Sequence, residues 1–485
     1  MTLLADRRKL LVVVFTAALF AMAARPLSDP DLWWHLRTGE LIFQRHAAIH
    51  ADPFSFTRLG QPWINHEWLS DVLMYAVYRF TGWSGLLVAF AGMTTVAYLM
   101  ILVRCSPPVY VAVVLICWGA VASVPNWGVR PQIFSLLMAS IFLYLMERSD
   151  QHPQAVLGTI PLMLLWLNLH AGFALGIILL LLFALGSCLD VVLGVATWET
   201  ARVRLKYLLA AAMVCGVIVP LNPNGIRLYS YPLETLRSQA MQMYISEWFS
   251  PNLHQLRFLP FTLLLLSILA LLPLSPNRLR PRELLLLMVT AFGAMISIRH
   301  IPIFVLIAVP ALSRLVQSVL QSSRLAPMFE RKHIEVTLRR TIMHAVLVVA
   351  VATFAAVRVA VVAAHEDRTE AQSFPSRAVN FLLTSNLPGP ILNHYNWGGY
   401  LIWKAYPRYP VFIDGRADLY GDEFLTQFAV AYHLTDDWQS VLRRWQIRAV
   451  ILPPDAPLVE NLSASSCWRK VYADSQAVIL TRNPR

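Results

Sequence analysis

About eleven apolar runs, most near the twenty residues that an α-helix needs to cross a hydrocarbon core of roughly 30 Å, constrain this chain more than any other feature. They fall near 10–26, 84–103, 108–124, 132–146, 155–169, 171–193, 207–221, 259–275, 283–298, 300–319 and 341–364. Inside lipid the backbone polar groups must be satisfied within the segment, so these runs read as helices. Several are short, and closely spaced pairs are open to a re-entrant reading. Composition agrees: 57% of the 485 residues are hydrophobic and 14% charged, too little charge for a soluble chain. The reading is a polytopic α-helical membrane protein, with residues 1–364 as its transmembrane domain and 365–485 as a soluble α/β domain.

A formal net charge of +12 would suit nucleic acid, but the cations stand in short clusters between apolar runs, where orientation signals belong. With the N-terminus inside, Arg104, the 147–153 connection, Arg202, Arg204 and Lys206, then Arg278, Arg280 and Arg282, and finally Arg324, Arg331, Lys332, Arg339 and Arg340 share the cytoplasmic side. An odd number of crossings then exports two long loops, 27–83 and 222–258, together with the tail from His365. Arg7, Arg8 and Lys9 before the run from Leu10 read as a first span and not a cleaved leader. Cys105, Cys117, Cys188 and Cys215 lie in or beside apolar segments and Cys467 in the tail, which offers no disulfide framework or cysteine metal cluster.

The tail alternates. Helices are expected at 375–385, 397–405, 424–432 and 438–445, and strands at 390–393, 411–414, 449–452, 468–473 and 477–481, the pattern of a small α/β domain.

Candidate chemistry gathers in the exported segments. The first loop opens SDPDLWWHLRTGELI, with Asp29 and Asp31 directly after the first span and Trp33 and Trp34 expected at headgroup depth. Two carboxylates at the membrane rim suit catalysis; equally, Asp29 reads as a helix N-cap, Pro30 as the first helical residue and Asp31 as a partner of the helix dipole. Asp31 and His35 then stand one turn apart on one face. Further on, Asn65, His66, Glu67 and Asp71 cluster between Trp63 and Trp68, either a reactive group or an amphipathic surface helix with interfacial tryptophans. In the tail, FIDGRADLYGDE places Asp414, Arg416, Asp418, Asp422 and Glu423 just after an expected strand, where α/β folds build sites; the plain alternative is a solvated loop with Arg416 ion pairs. Arg299 and His300 interrupt two apolar runs, where a charge is paired or functional. Arg227 and Arg237 read as ordinary loop arginines, and Asn168 and His170 either line a cavity or join helices.

An acidic DPD motif after the first span, a tryptophan-rich first outer loop, about eleven spans and an external α/β tail together resemble the GT-C superfamily of polyprenyl-phosphate-dependent membrane glycosyltransferases, of the dolichyl-phosphate-mannose and oligosaccharyltransferase type. The resemblance implies a sugar moved from a polyprenyl-phosphate donor to a glycan, lipid or protein acceptor on the outer face of a bacterial-type inner membrane. By position it gives Asp29 or Asp31 the role of general base or of holding a divalent cation, Mg or Mn. It gives His66 and Glu67 that of a second acidic site. NHYNWGGYLIW, residues 393–403, is similar to the WWDYG acceptor-reading motif, with Tyr395 and Trp397 in place and its aspartate missing, which points away from protein N-glycosylation. Asp414, Arg416 and Asp418 complete the expected acceptor side, and Arg299 and His300 would neutralise the departing phosphate. Two rivals stand beside this reading: a transporter or lipid flippase, expected to show ionisable residues in mid-span and internal repeats, and a non-catalytic glycan-assembly scaffold.

Overall fold

The structure, a computed structural model, describes residues 6–324, 326 and 337–483. Arg331 and Lys332, placed above on the cytoplasmic side, lie outside the described residues. Contacts divide the chain into two compact units.

The first unit comprises the chain up to Arg25, Leu87–Leu221 and Ser246–Val362. Each apolar run is helical: Arg7–Ala23, Trp68–Arg104 (broken at Gly82, φ 66°), Val109–Ser123, Gln132–Arg148, Thr159–Leu169, Phe173–Val192, Trp198–Val217, Leu259–Leu274, Pro281–Ile296, Ile301–Ser322 and Leu338–Ala364. Among the described residues, six helical stretches are long and apolar enough to cross a membrane, those at Trp68–Arg104, Val109–Asn126, Phe173–Val192, Leu256–Leu274, Ile298–Ser322 and Leu338–Ala364. Others stop short of that test; Thr159–Leu169 has 11 residues. Phe173–Val192 packs on both Trp198–Val217 and Pro281–Ile296, and Ile301–Ser322 on Val109–Ser123. Apolar side chains such as Val114, Ile178, Leu266 and Phe354 remain exposed along these helices, as a multi-pass protein presents them to lipid.

The second unit joins Pro26–Leu86, Asn222–Ile245 and Ala363–Arg485. Its four-stranded sheet has the order β1-β2-β4-β3, where β1 is Ile391–Asn393, β2 Ala449–Leu452, β3 Trp468–Ala473 and β4 Val478–Arg482. β1 and β2 run parallel with Ile391 opposite Ala449, and the other pairs are antiparallel. All four β2 residues are buried, which is why AVIL reads as an unbroken apolar strand. Helices at Ser376–Ser385, Gly398–Ala405 and Trp438–Arg444 stand where the sequence placed them; the one expected at 424–432 begins earlier, as Ala417–His433 with a break at Gly421 (φ 71°), and Glu366–Ser373 and Pro457–Ala464 are additional.

Two expectations are corrected. Residues 411–414 do not form a strand of the sheet. Val411 makes one parallel bridge to Ser55, and side chains satisfy the rest of this backbone: Asn393 Oδ1 accepts from the Phe412 amide (2.8 Å), Asn393 Nδ2 donates to the Ile413 carbonyl (2.8 Å) and Thr57 Oγ1 donates to the Phe412 carbonyl (2.7 Å). The tryptophans of the first loop also turn away from the protein surface, where interfacial anchors would stand. Trp33, Trp34 and Trp63 are buried in the core of this unit, where Trp33 meets Trp83, Phe374 and Tyr400 edge to face at 5.0–5.4 Å. The tail supplies the apolar cover that the bilayer was expected to give.

Asn393 therefore holds a segment with no ladder of its own. Replacing it with alanine orphans two buried backbone groups, and should lower stability by about 2–4 kcal/mol, read as an earlier thermal unfolding of the purified full chain. Unchanged melting would show that the segment finds other partners.

Candidate functional site

The acidic opening of the first loop lies against the tail. Asp29 Oδ1 accepts from the Asp31 amide (2.9 Å), and helix Leu32–Arg45 starts one residue after Asp31. Asp29 thus makes the bond expected of a cap, to the amide two residues on, while the Asp31 side chain makes no capping bond and its Oδ1 accepts from Trp34 Nε1 (3.1 Å). Asp29 and Asp31 are both partly buried. Two glycines permit the close approach. A Cβ at Gly415 would collide with Asp31 Oδ1, and one at Gly399 would crowd the Pro30 carbonyl and the Trp34 ring. The Tyr395 hydroxyl donates to the Gly415 carbonyl at 3.3 Å.

One turn on, His35 is buried beneath the Trp34 ring, with centroids 3.6 Å apart. Its Nδ1 is hydrogen-bonded to Asp71 Oδ1 (2.6 Å), and its Nε2 lies 3.6 Å from Glu67 Oε2. Glu67 also binds His66 Nε2 (2.6 Å), while Asn65 Nδ2 donates to Asp71 Oδ2 (2.9 Å). A carboxylate thus bridges two imidazoles. Burial by itself would lower both histidines; the Asp71 hydrogen bond and the charges of Asp71, Glu67 and Asp31 raise His35 above 6.5, and Glu67 followed by Asp418 raise His66. Asp418 is itself pushed up by burial, against the charges of His66 and Arg416. Residues from the 222–245 segment also touch this cluster. Tyr231 stacks on His66 at 4.1 Å, Asn224 Nδ2 donates to the Asn65 carbonyl (3.0 Å), and Ser238 and the Gln239 amide donate to Asp422.

Asp414 and Arg416 form a buried post, unlike the solvated loop that was the alternative. Arg416 grips Asp414 through Nε and Nη2 (2.7 Å each), reaches Asp52 Oδ1 through Nη1 (2.7 Å) and stacks on Trp63 at 4.6 Å. Tyr420 donates to Asp414 Oδ2 (2.6 Å). Trp397 is buried beside His394. Asp422 and Glu423 line a cavity of about 600 Å³ with Gln239, Asp436 and Asp437, whose wall includes neither Asp31 nor His66.

Arg299 and His300 belong to the first unit. Arg299 lies over the Trp248 ring at 4.5 Å, and His300 Nδ1 is 3.3 Å from the Gly293 carbonyl. Glu247, bound by both Arg130 guanidinium nitrogens, is raised by burial but drawn below the usual carboxylate range by Arg130 and then Arg299. In the same unit His170 Nδ1 is paired with Ser135 Oγ (2.7 Å), which also accepts from Trp166, and Asn168 Nδ2 donates to the Leu164 carbonyl, as packed helices arrange such groups. Arg227 and Arg237 are exposed.

Sequence reasoning passed over Asp52, Tyr420, Asn224 and Tyr231. Asp52 carries the largest role: besides Arg416 it accepts from the Phe54 and Ser55 amides, both at 3.0 Å. Its one local signal is an Asp-Pro step, which reads as a turn. For a divalent cation, Asp29 and Asp31 each already use one oxygen, and among the described residues no three His, Cys, Asp or Glu side chains are grouped to hold a metal ion.

No protein-family model and no curated protein matches the sequence. Solved structures do. The oligosaccharyltransferase of Archaeoglobus fulgidus aligns with 92% of this chain and 70% of its own at a TM-score of 0.54 and 12% identity. In its form tethered to an acceptor peptide containing the NVT sequon, the TM-score is 0.55. ArnT from Cupriavidus metallidurans, bound to undecaprenyl phosphate, covers 98% of both chains at a TM-score of 0.47 and 14% identity. At such identities the likeness is one of fold.

Two outcomes follow. Replacing Arg416 with methionine leaves Asp52 and Asp414 buried without their cation and should cost about 3–5 kcal/mol, seen as a large drop in melting temperature; wild-type melting would contradict the post. The raised histidines stabilise fully below their unfolded value of 6.5, and that contribution is lost as pH rises through the higher folded values. Asp418 acts with the same sign at lower pH, above 3.8. Melting temperature should therefore fall from pH 6 toward alkaline pH, less steeply in a His35→Gln chain. A slope of the opposite sign would refute the charged pair.

Proposed function

Because the chain has the fold of the GT-C membrane glycosyltransferases, we propose that it transfers a sugar from a polyprenyl-phosphate-linked donor to an acceptor at the outer face of a bacterial-type inner membrane. The observation that carries this reading is the meeting of Asp31 with Gly415, which sets the first-loop carboxylate against the tail's Asp414–Asp418 turn inside one compact unit. A base and an acceptor-positioning surface at one spot suit group transfer, where orientation and proton removal lower the barrier together.

In this mechanism Asp31 takes the acceptor proton as the acceptor atom attacks the anomeric carbon. The bond from that carbon to the carrier phosphate breaks, and the phosphate leaves with its electron pair. Asp29 holds the Asp31 backbone, and Trp34 orients the carboxylate. His66 and Glu67, with His35 and Asp71, form the second polar wall. Tyr395 and Asp418 are assigned to the acceptor side, with Trp397 packed in the core behind them and Asp414 and Arg416 anchoring their loop. No step is routed through a metal. The basic connections between helices support a cytoplasmic N-terminus and an external tail.

In proteoliposomes supplied with a polyprenyl-phosphate sugar, Asp31→Asn should reduce turnover by about 10²- to 10⁴-fold with unchanged melting, and Asp29→Asn by less. Full transfer by a chain with alanine at both positions would remove Asp31 from the chemistry.

A further inference from the structure

A second charged centre lies in the first unit. Asp150, just beyond helix Gln132–Arg148, receives three guanidiniums: Arg204, Arg282 (2.8 and 2.7 Å) and Arg280 (3.1 Å). Asp190 is the next carboxylate, 3.9 Å from Arg282 Nε. Three cations against these two anions leave a surplus of +1, whereas Arg104–Glu147 and Arg314–Glu283 are one-to-one pairs. The Arg282 and Arg204 side chains are 3% and 9% exposed, and Arg204 Nε is buried with no acceptor. The Arg280 side chain is 51% exposed. The surplus therefore sits half in low dielectric, with an unused donor and one cation reaching outward.

The surroundings are those of a lipid surface. Arg148, Arg202 and Arg278, each two residues from a member of the cluster, are exposed, as is Glu199. The connection between two apolar helices beside it exposes Val192 (78%), Leu193 (64%), Val195 (52%) and Trp198 (59%). An apolar shelf with a tryptophan at its edge, next to converging arginines, offers acyl chains and a phosphate their separate partners. We propose that this centre binds the headgroup of an anionic phospholipid, with its phosphate on Arg280 and Arg204 and its chains on the Val192–Trp198 shelf.

Native mass spectrometry of the purified full chain titrated with phosphatidylglycerol tests this. The wild type should hold phosphatidylglycerol in preference to phosphatidylcholine, and Arg280→Gln should weaken that binding by about fivefold. Arg280→Lys, which keeps the charge, should retain most of it, and Arg257→Gln, on a different loop, should bind as wild type. The Gln and Lys variants are compared at matched melting temperature, so a folding defect is seen separately. Equal retention of the two lipids, or undiminished phosphatidylglycerol binding by Arg280→Gln, would overturn the proposal. So would displacement of the lipid by millimolar inorganic phosphate, which would mark a site for free anion.

Discussion

The second unit depends on one buried cation. Arg416 sits between Asp414, two residues before it, and Asp52, 364 residues away, with Trp63 and Phe54 against its face. A buried guanidinium is tolerated only when its donors are met and its charge is balanced. Meeting that condition fixes where residues 52–63 lie on the tail, and hence where Val411 bridges Ser55. It also fixes the turn that follows, with Gly415 facing Asp31. The burial explains why planar, five-donor arginine stands here: Nε and Nη2 close on one carboxylate while Nη1 reaches the other, a fork that lysine cannot make.

The same balance recurs with different outcomes. At the histidines, two carboxylates in direct contact and two more within electrostatic reach surround two imidazoles, so both rings are pushed toward the charged form. The contacts hold His35 beneath Trp34, the residue that orients Asp31. The electrostatics of the carboxylate at the tail and those of the buried pair are therefore coupled through one helical turn.

Much of the fold was legible because lipid imposes its own pattern. Every apolar run became a helix, since no other structure satisfies its backbone there. β2 was legible for a related reason, being an apolar run covered on both faces. What stayed hidden was long-range and polar. Residues 411–414 have strand-like composition, yet Asn393 takes the hydrogen bonds that a neighbouring strand would have taken, and no local pattern announces a side chain acting in place of a strand. Trp33, Trp34 and Trp63 look like interfacial anchors because their true partners, Phe374 and Tyr400 among them, are more than 300 residues downstream. Asp52 was silent for the same reason. Of the candidate residues, the juxtaposition of Asp31 with the 414–418 turn was readable only as a requirement that exported loop and tail should meet, and Gly415 is the position that lets them.

Seen as charge balance, the candidate groups fall into two kinds. Asp414, Asp52 and Arg416 are closed: their oxygens and donors face one another away from solvent, and a ligand would have to break them to gain anything. Asp29 and Asp31 are only partly buried as residues, and the chain fixes an oxygen of each. A group that must accept and release a proton needs both properties, a set orientation and a route to the reacting partner. The closed post provides the first indirectly, by holding Gly415 where Asp31 lies. Its chemistry is spent on position, and the base proposed for this unit is the partly buried pair that it helps to place.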